Sequence, residues 1–405
     1  MKKILFISYY FPPFGGVGSQ RSVKFVKYLP YYNWQPIILT VNKKYYYNKI
    51  DKSFLKDIPV DIKIIRTKMV SGPKNNFLNK LFQLLSILDS KIWWILYAYK
   101  IAKKIIKENE INIIYSTGDP FSSFVFAYLL AKRYKKKFVI DFRDGWIKDP
   151  RNKEKNLLGK LNGLLSIPFF KTVLKKSSAI ILATYGMYNA FVNSFPQYKN
   201  KLHCINNGFD KDDFSRLKPN KEAHNKFHLA FSGSLYKDRD PKYFFDAIKH
   251  IKNNRKDIYD KLQINFWGFV DNIFLNKYKH LNIVHFEKKI NHDNLLNKII
   301  NTDILVFIGE RIENNQQITS SKVFEYIATH KPILVLCSKK MGAYKIIKES
   351  GLGIFCNINN PIDIADKIIK AVEGNVEVNP NIKKINKYFR KKLTYKLSQI
   401  FNQLD

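Results

Sequence analysis

The sequence predicts an α/β chain of two doubly wound halves, each a parallel sheet with helices on both faces. Three observations carry this. Short β-branched and aromatic runs alternate with longer helical stretches. The rhythm restarts after residues 205–225, where the halves join. The 405 residues, 45% of them apolar, suffice for two or three domains with their own cores.

In the first half, Lys3–Ser8 reads as a strand, Gly18–Leu29 as a helix and Gln35–Val41 as a strand. The strand Ile111–Ser116, the helix Ser122–Lys132 and the strands Phe138–Phe142 and Ala179–Ala183 follow. In the second half, strands are expected at Phe227–Phe231, Gln263–Trp267, Ile283–His285, Ile304–Ile308, Ile333–Leu336 and Gly353–Phe355. Helices over Tyr243–Ile251, Asn294–Ile300, Ser321–Ala328 and Pro361–Val372 connect them. The last segment, Lys383–Leu404, reads as one basic amphipathic helix that crosses back onto the first half. The expected division is therefore 1–205, 206–386 and a terminal helix 387–405.

Charge narrows the partners. The chain carries 70 Lys+Arg against 33 Asp+Glu, a net of +37. Residues 1–205 hold 36 basic and 11 acidic side chains, a net of +25, which leaves +12 for the rest. Such asymmetry fits a first half that faces an anionic membrane or another polyanion. No nucleic-acid module accompanies it, so a nucleic-acid partner is set aside. Two stretches mix bulky apolar residues with lysine: Phe77–Lys107, with Trp93, Trp94, Tyr97 and Tyr99, and Leu157–Lys176, with Leu164, Leu165, Ile167, Phe169 and Phe170. Each is either a membrane-interface surface or a core-packed helix with a solvated basic face.

Cys204, Cys337 and Cys356 lie far apart, which excludes a disulfide scaffold and a structural zinc site and fits a reducing cytoplasm. No apolar run is long enough to span a membrane. The N-terminal apolar run enters Phe11-Pro12-Pro13 without a cleavage site, so it reads as a first strand and not a signal peptide.

Ligands of doubly wound sheets bind beyond the carboxyl ends of the strands. Four segments fall there. Tyr9–Gly18 contains Gly15 and Gly16, whose backbone can approach a phosphate or sugar. Arg21 stands where a dinucleotide fingerprint needs its third glycine, so a Rossmann oxidoreductase is disfavoured. Asp141-Phe142-Arg143-Asp144-Gly145-Trp146 puts three charges at the end of a buried strand, as a reactive group or as an ion pair capping the sheet. Gly233-Ser234-Leu235-Tyr236-Lys237-Asp238-Arg239-Asp240 offers Lys237 and Arg239 to a diphosphate. Its Asp238 and Asp240 also spell a DxD, but the second doubly wound half has no place in the fold that uses that metal signature. Finally, Gln317-Ile318-Thr319-Ser320-Ser321-Lys322 leads into a helix, with Thr319, Ser320 and Ser321 as N-cap candidates and Lys322 and Glu325 one turn in. The histidines are scattered, and His285 and His292 read as surface or satisfied core residues.

These segments, together with Ile205–Asp210 (INNGFD), Ser320–Leu334 (SSKVFEYIATHKPIL) and Glu349–Phe355 (ESGLGIF), resemble in matching order the GT-B glycosyltransferases of the family 4 (GT4) type. The resemblance covers nearly the whole chain. It implies two Rossmann-like domains facing a cleft, a nucleotide sugar (UDP- or GDP-linked) held mainly by the second, retention of anomeric configuration and no required metal or other cofactor. Gly16 then lies near the donor phosphates, Arg239 and Lys322 grip the diphosphate, and Glu325 binds ribose. The first of the family's paired glutamates falls on Gln317, and Ser234 replaces a second basic position. The family's first-domain histidine has no histidine here; Asp141, Arg143 and Asp144 occupy that region. The implied activity is transfer to a lipid-linked glycan in surface polysaccharide biosynthesis, by an enzyme peripheral on the inner face of the cytoplasmic membrane. A nucleotide-sugar 2-epimerase of the same architecture is the second reading.

Overall fold

A computed structural model describes the chain apart from residues 47–49, 73–81, 83–85, 87, 146–156, 218–224, 289 and 313–314. Trp146, the Phe77–Lys80 end of the first apolar-basic stretch and the middle of the 205–225 junction thus lie outside the described residues. The chain divides into two compact units, Met1–Asn207 with Arg390–Asp405, and Gly208–Phe389.

The first unit is built on β1 (Lys2–Ser8), β2 (Trp34–Val41), β3 (Ile64–Thr67), β4 (Ile111–Gly118), β5 (Lys137–Phe142), β6 (Ala179–Leu182) and β7 (Leu202–Cys204). They form one sheet in the order β3-β2-β1-β4-β5-β6-β7, and every pair is parallel. A parallel sheet is covered on both faces, so its strands are continuously apolar; Ile4, Leu5, Phe6 and Ile7 are all fully buried.

The second unit repeats the plan with β8 (Phe227–Ser232), β9 (Leu262–Trp267), β10 (Val284–Glu287), β11 (Ile304–Ile308), β12 (Ile333–Leu336) and β13 (Gly353–Phe355). Their order is β10-β9-β8-β11-β12-β13, again all parallel. Both sheets reverse their winding between the first strand and the strand that returns beside it, at β1/β4 and at β8/β11. A doubly wound sheet opens its ligand crevice at such a switch point.

The structure departs from the sequence reading at two places. β3 and β7 were not expected; both are short edge strands, and β7 has only three residues. The terminal helix is not continuous. A short helix, Ile382–Ile385, and a 3-10 turn, Asn386–Tyr388, end at Phe389, whose extended backbone (φ −61°, ψ 127°) breaks the run. Phe389 stays in the second unit by bridging to Phe209, and only the helix Arg390–Leu404 belongs to the first. There Phe401 packs edge-on against Trp34 and Tyr115, and the Trp34 indole donates to Asn402 Oδ1 at 2.9 Å.

Of the two readings of the first apolar-basic stretch, its tryptophans follow the packed one. Trp94 is fully buried, and its indole donates to Thr67 Oγ1 at 2.6 Å. Trp93 is stacked on Phe82 with ring centroids 4.7 Å apart. These two rings are packing residues of the first unit. In the second stretch, Phe170 is buried while Leu164, Leu165 and Phe169 are exposed on the helix Leu157–Lys176.

Candidate functional site

In the second unit, four elements converge at the β8/β11 switch point. β8 ends at Ser232, whose N–H donates to the Tyr326 hydroxyl at 2.7 Å. That bond ties the strand end to the helix Lys322–Ala328, and burial pushes the Tyr326 phenol up to about 12, so it remains neutral. Gly233 follows with φ +140°, a conformation that side chains rarely adopt. The next turn folds Arg239 back: its Nη1 donates to Ser234 O at 3.2 Å and its Nη2 to Glu310 Oε1 at 2.6 Å. Tyr236 donates its hydroxyl to the same Glu310 oxygen at 2.7 Å. Arg239 Nε is buried and has no hydrogen-bond partner among the described residues. Lys237 is exposed on the same turn.

A second buried carboxylate lies on the helix Lys322–Ala328. Glu325 is only 3% exposed. Its Oε1 lies 3.0 Å from His292 Nε2, and its Oε2 lies 3.5 Å from Lys322 Nζ. These contacts fix the position of the Glu325 carboxylate. The site therefore holds two cations, Arg239 and Lys322, each set against a buried carboxylate. A leaving diphosphate needs such a positioned pair, since preorganised charge costs no reorganisation during reaction.

The helix N-terminus differs from expectation. Ser321 occupies the cap position in the αR conformation and makes no side-chain cap bond. A capping side chain requires extended backbone at that residue. Instead the carbonyls of Ser320 and Ser321 accept from the Val323 and Phe324 N–H groups at 3.2 and 3.1 Å, so those amides are not free for a ligand. Gln317 ends the 3-10 turn Asn315–Gln317, and Ile318, Thr319 and Ser320 continue from it half-buried. Gly342 lies against Thr319; a Cβ there would sit 2.5 Å from its Oγ1. Within the DxD, Asp240 is occupied locally, its Oδ1 accepting from Lys242 N at 2.8 Å.

In the first unit, Asp141 is fully buried and faces Arg21. Arg21 donates to Asp141 through Nε at 2.7 Å and Nη2 at 2.9 Å. Its remaining N–H groups reach Ile205 O, Asn206 O and Asn207 Oδ1 at 2.9, 3.1 and 3.3 Å, and Tyr115 donates to Asp141 at 2.6 Å. Asp141 is thus the sheet-capping ion pair, with Arg21 and not Arg143 as its partner. The glycines of the first loop also have protein neighbours. A Cβ on Gly15 would lie 2.6 Å from the Asp51 Cβ, and one on Gly16 3.0 Å from the Phe14 ring.

Arg143 instead braces the end of β4. Its Nε donates to Gly118 O at 2.8 Å and its Nη2 to Asp119 O. Asp119 is exposed yet hemmed in by loops. Desolvation first, then the charges of Asp89 and Asp144, push its carboxyl up to about 6 against the opposing pull of Arg143 and Lys91. Burial holds the neighbouring Tyr10 phenol up at about 12. A carboxyl poised near neutrality at the β1/β4 switch point can exchange a proton with a hydroxyl. Asp144 is half-buried in the same region.

Glu310 and Asp119 did not emerge from the sequence, and His292, read there as a surface or satisfied core residue, is satisfied by Glu325. The available signal for Glu310 and Asp119 was the one used for Asp141, an acidic residue at the end of a buried strand.

No family model matches the chain. It is 23% identical over 400 residues to an uncharacterized glycosyltransferase of Methanocaldococcus jannaschii, covering 95% of this chain and 91% of that one. Among solved structures, the Anabaena protein HepE in complex with UDP superposes with a TM-score of 0.61 at 15% identity over the whole of both chains. WaaG, a glycosyltransferase involved in lipopolysaccharide biosynthesis, gives 0.61 at 13% identity over 98% of this chain and 99% of its own. A UDP-GlcNAc 2-epimerase from Methanocaldococcus jannaschii gives 0.55 at 15% over both chains entirely. The chain therefore has the GT-B fold.

Two predictions follow from the first unit. Asp141→Asn should lower stability by about 3–5 kcal/mol in urea unfolding, because it strands a buried guanidinium. A variant of wild-type stability that has lost only turnover would instead make Asp141 a reacting group. Asp119 has a folded pKa of about 6, above the roughly 3.9 of an unfolded chain. Its ionised form opposes folding, and the penalty grows as pH rises from about 4 to 6 and is complete above that. Asp119→Asn should thus raise the melting temperature at pH 8 and leave it unchanged at pH 4.

Proposed function

We propose that this protein is a retaining glycosyltransferase that moves a sugar from a UDP- or GDP-linked donor to a lipid-linked glycan during surface polysaccharide biosynthesis. The observation that carries the reading is the pair of carboxylate-restrained cations at the β8/β11 switch point. As the glycosidic bond breaks, negative charge builds on the diphosphate. Arg239 and Lys322 meet it, with Lys237 as an outer contact. Glu325 accepts from the ribose hydroxyls. Gln317 offers an amide to the donor sugar where the GT4 pattern has a carboxylate. Front-face attack by the acceptor hydroxyl, with retention and without a required metal, follows the GT4 resemblance. The similarity to a 2-epimerase leaves the fold common to both readings, but the basic first unit favours a transferase with an anionic-surface acceptor.

The membrane part rests on the helix Leu157–Lys176. Leu164, Leu165 and Phe169 are exposed towards its N-terminal half, and Lys171, Lys175 and Lys176 are exposed beyond them. Apolar side chains at headgroup depth beside lysines on anionic lipid make a peripheral attachment. No helix among the described residues is long and apolar enough to cross a membrane. Its three free cysteines suit a reducing compartment, so the cytoplasmic face is the proposed location.

Calorimetric titration with UDP-, GDP- and ADP-sugars should find one nucleotide class bound, weakened about tenfold or more by Arg239→Ala. With an acceptor, Arg239→Ala and Glu325→Gln should abolish transfer at a temperature where both variants are still folded, since each also breaks a buried ion pair and lowers the melting temperature, and EDTA should leave the wild-type rate intact. The product's anomeric proton coupling should match the donor's. Near-wild-type turnover in either variant would overturn the site, and sugar interconversion without acceptor would favour the epimerase. Separately, the protein should float with anionic but not zwitterionic vesicles, and Leu164→Glu with Phe169→Glu should abolish flotation. Flotation that survives both changes would refute this surface.

A further inference from the structure

The first unit carries a concavity that the transfer chemistry does not use. It measures about 450 Å³, within the roughly 300–1,000 Å³ usual for ligand pockets. It runs along β7, which pairs with β6 on one side only, between the helices Tyr185–Ser194 and Arg390–Leu404. Tyr185, Tyr188, His203, Tyr395, Lys396 and Gln399 are among its lining side chains.

Two features distinguish this trough from ordinary surface. Two of its aromatic rings stand out from the core: Tyr185 is 64% and Tyr395 50% exposed. They continue into a line of further tyrosines. Tyr185 and Tyr188 have centroids 6.0 Å apart, and Tyr395 lies 5.3 Å from Tyr32. Beyond them Tyr31 is exposed with Lys391 Nζ 4.7 Å from its ring centroid. The second feature is charge. Lys396 forms no ion pair among the described residues, and no carboxylate lines the trough. Burial lowers the His203 pKa, which favours its neutral imidazole.

We propose that this trough is a second glycan site, binding a short acidic oligosaccharide. Tyrosine faces are electron-rich, and the C–H edges of pyranose rings stack on them; tyrosine also supplies contact area at low cost in side-chain entropy. Lys396 selects a carboxylate or phosphate on the sugar, and Gln399 and the tyrosine hydroxyls accept and donate to ring hydroxyls. The choice of glycan over other ring-bearing polyanions rests on the glycosyltransferase reading: an enzyme that extends a chain meets that chain as acceptor and product. A holding site in the first unit would keep it near while donors exchange in the second.

Binding to the full-length protein can be measured by calorimetry without any donor, in roughly physiological salt. Tetragalacturonic acid is the acidic probe, maltotetraose the neutral one and a uridine tetranucleotide the competing polyanion. The acidic tetrasaccharide should bind more tightly than both. Tyr395→Ala and Lys396→Glu should each weaken it about five- to tenfold, and Tyr395→Phe should retain it. Arg239→Ala, which removes a donor-site cation, should not affect it, and Tyr395→Ala should not affect UDP binding. Absence of acidic-glycan binding, equal binding of the nucleotide, or indifference to both trough variants would overturn the proposal. Failure to bind any nucleotide sugar would count against the transferase reading and not against the trough.

Discussion

The first unit is organised around one buried charge. Arg21 has five N–H donors, and all five find acceptors: two on Asp141 and one each at Ile205, Asn206 and Asn207. The guanidinium also lies over the Phe25 ring, 4.8 Å from its centroid. A charge this deep is tolerable only when paired and fully hydrogen-bonded. Burial alone would lower the Arg21 pKa, but Asp141 reverses that, so the arginine stays charged. One side chain thereby joins the helix after β1, the end of β5 and the last residues before the chain leaves the unit. The loops at the β1/β4 switch point inherit their positions from that junction. Arg143 is left to brace Gly118 and Asp119, and the Asp119 carboxyl is held where desolvation makes it a weak acid.

The second unit solves the opposite problem. Its two site cations are held less completely than Arg21 among the described residues. Arg239 is aimed by Glu310 and Ser234, with Nε unpartnered among the described residues. Lys322 is aimed by Glu325 at a looser 3.5 Å. Carboxylate restraint removes the rotamer entropy of long basic side chains in advance, at the expense of some of their field. The bulk of the +37 lies elsewhere on the surface, where lysines such as Lys171, Lys175 and Lys176 remain solvated.

Much of the fold was legible because parallel strands buried on both faces must be continuous apolar runs. Eleven of the thirteen strands follow from that rule, and only the edge strands Ile64–Thr67 and Leu202–Cys204 escape it. Edge strands bury less and need fewer residues, so their pattern sinks into loop composition. The break at Phe389 was illegible for a different reason. Nothing local stops Lys383–Leu404 from being one helix; the pairing of Phe389 with Phe209 stops it. In the site, Arg239, Lys322 and Glu325 stood out because they sit in strand-to-helix turns. Glu310 and His292 did not, since their significance lies only in the partners they meet.

The sequence by itself determined the two doubly wound halves, the uneven charge and the turns in which basic residues sit. These follow from local periodicity and composition, which act within a few residues. The tertiary structure alone decided which charges face each other. It gave Asp141 to Arg21 across 120 positions and Glu310 to Arg239 across 71. Coulombic pairing in a desolvated interior depends on separation in space, falls off over a few ångströms and carries no trace in chain order.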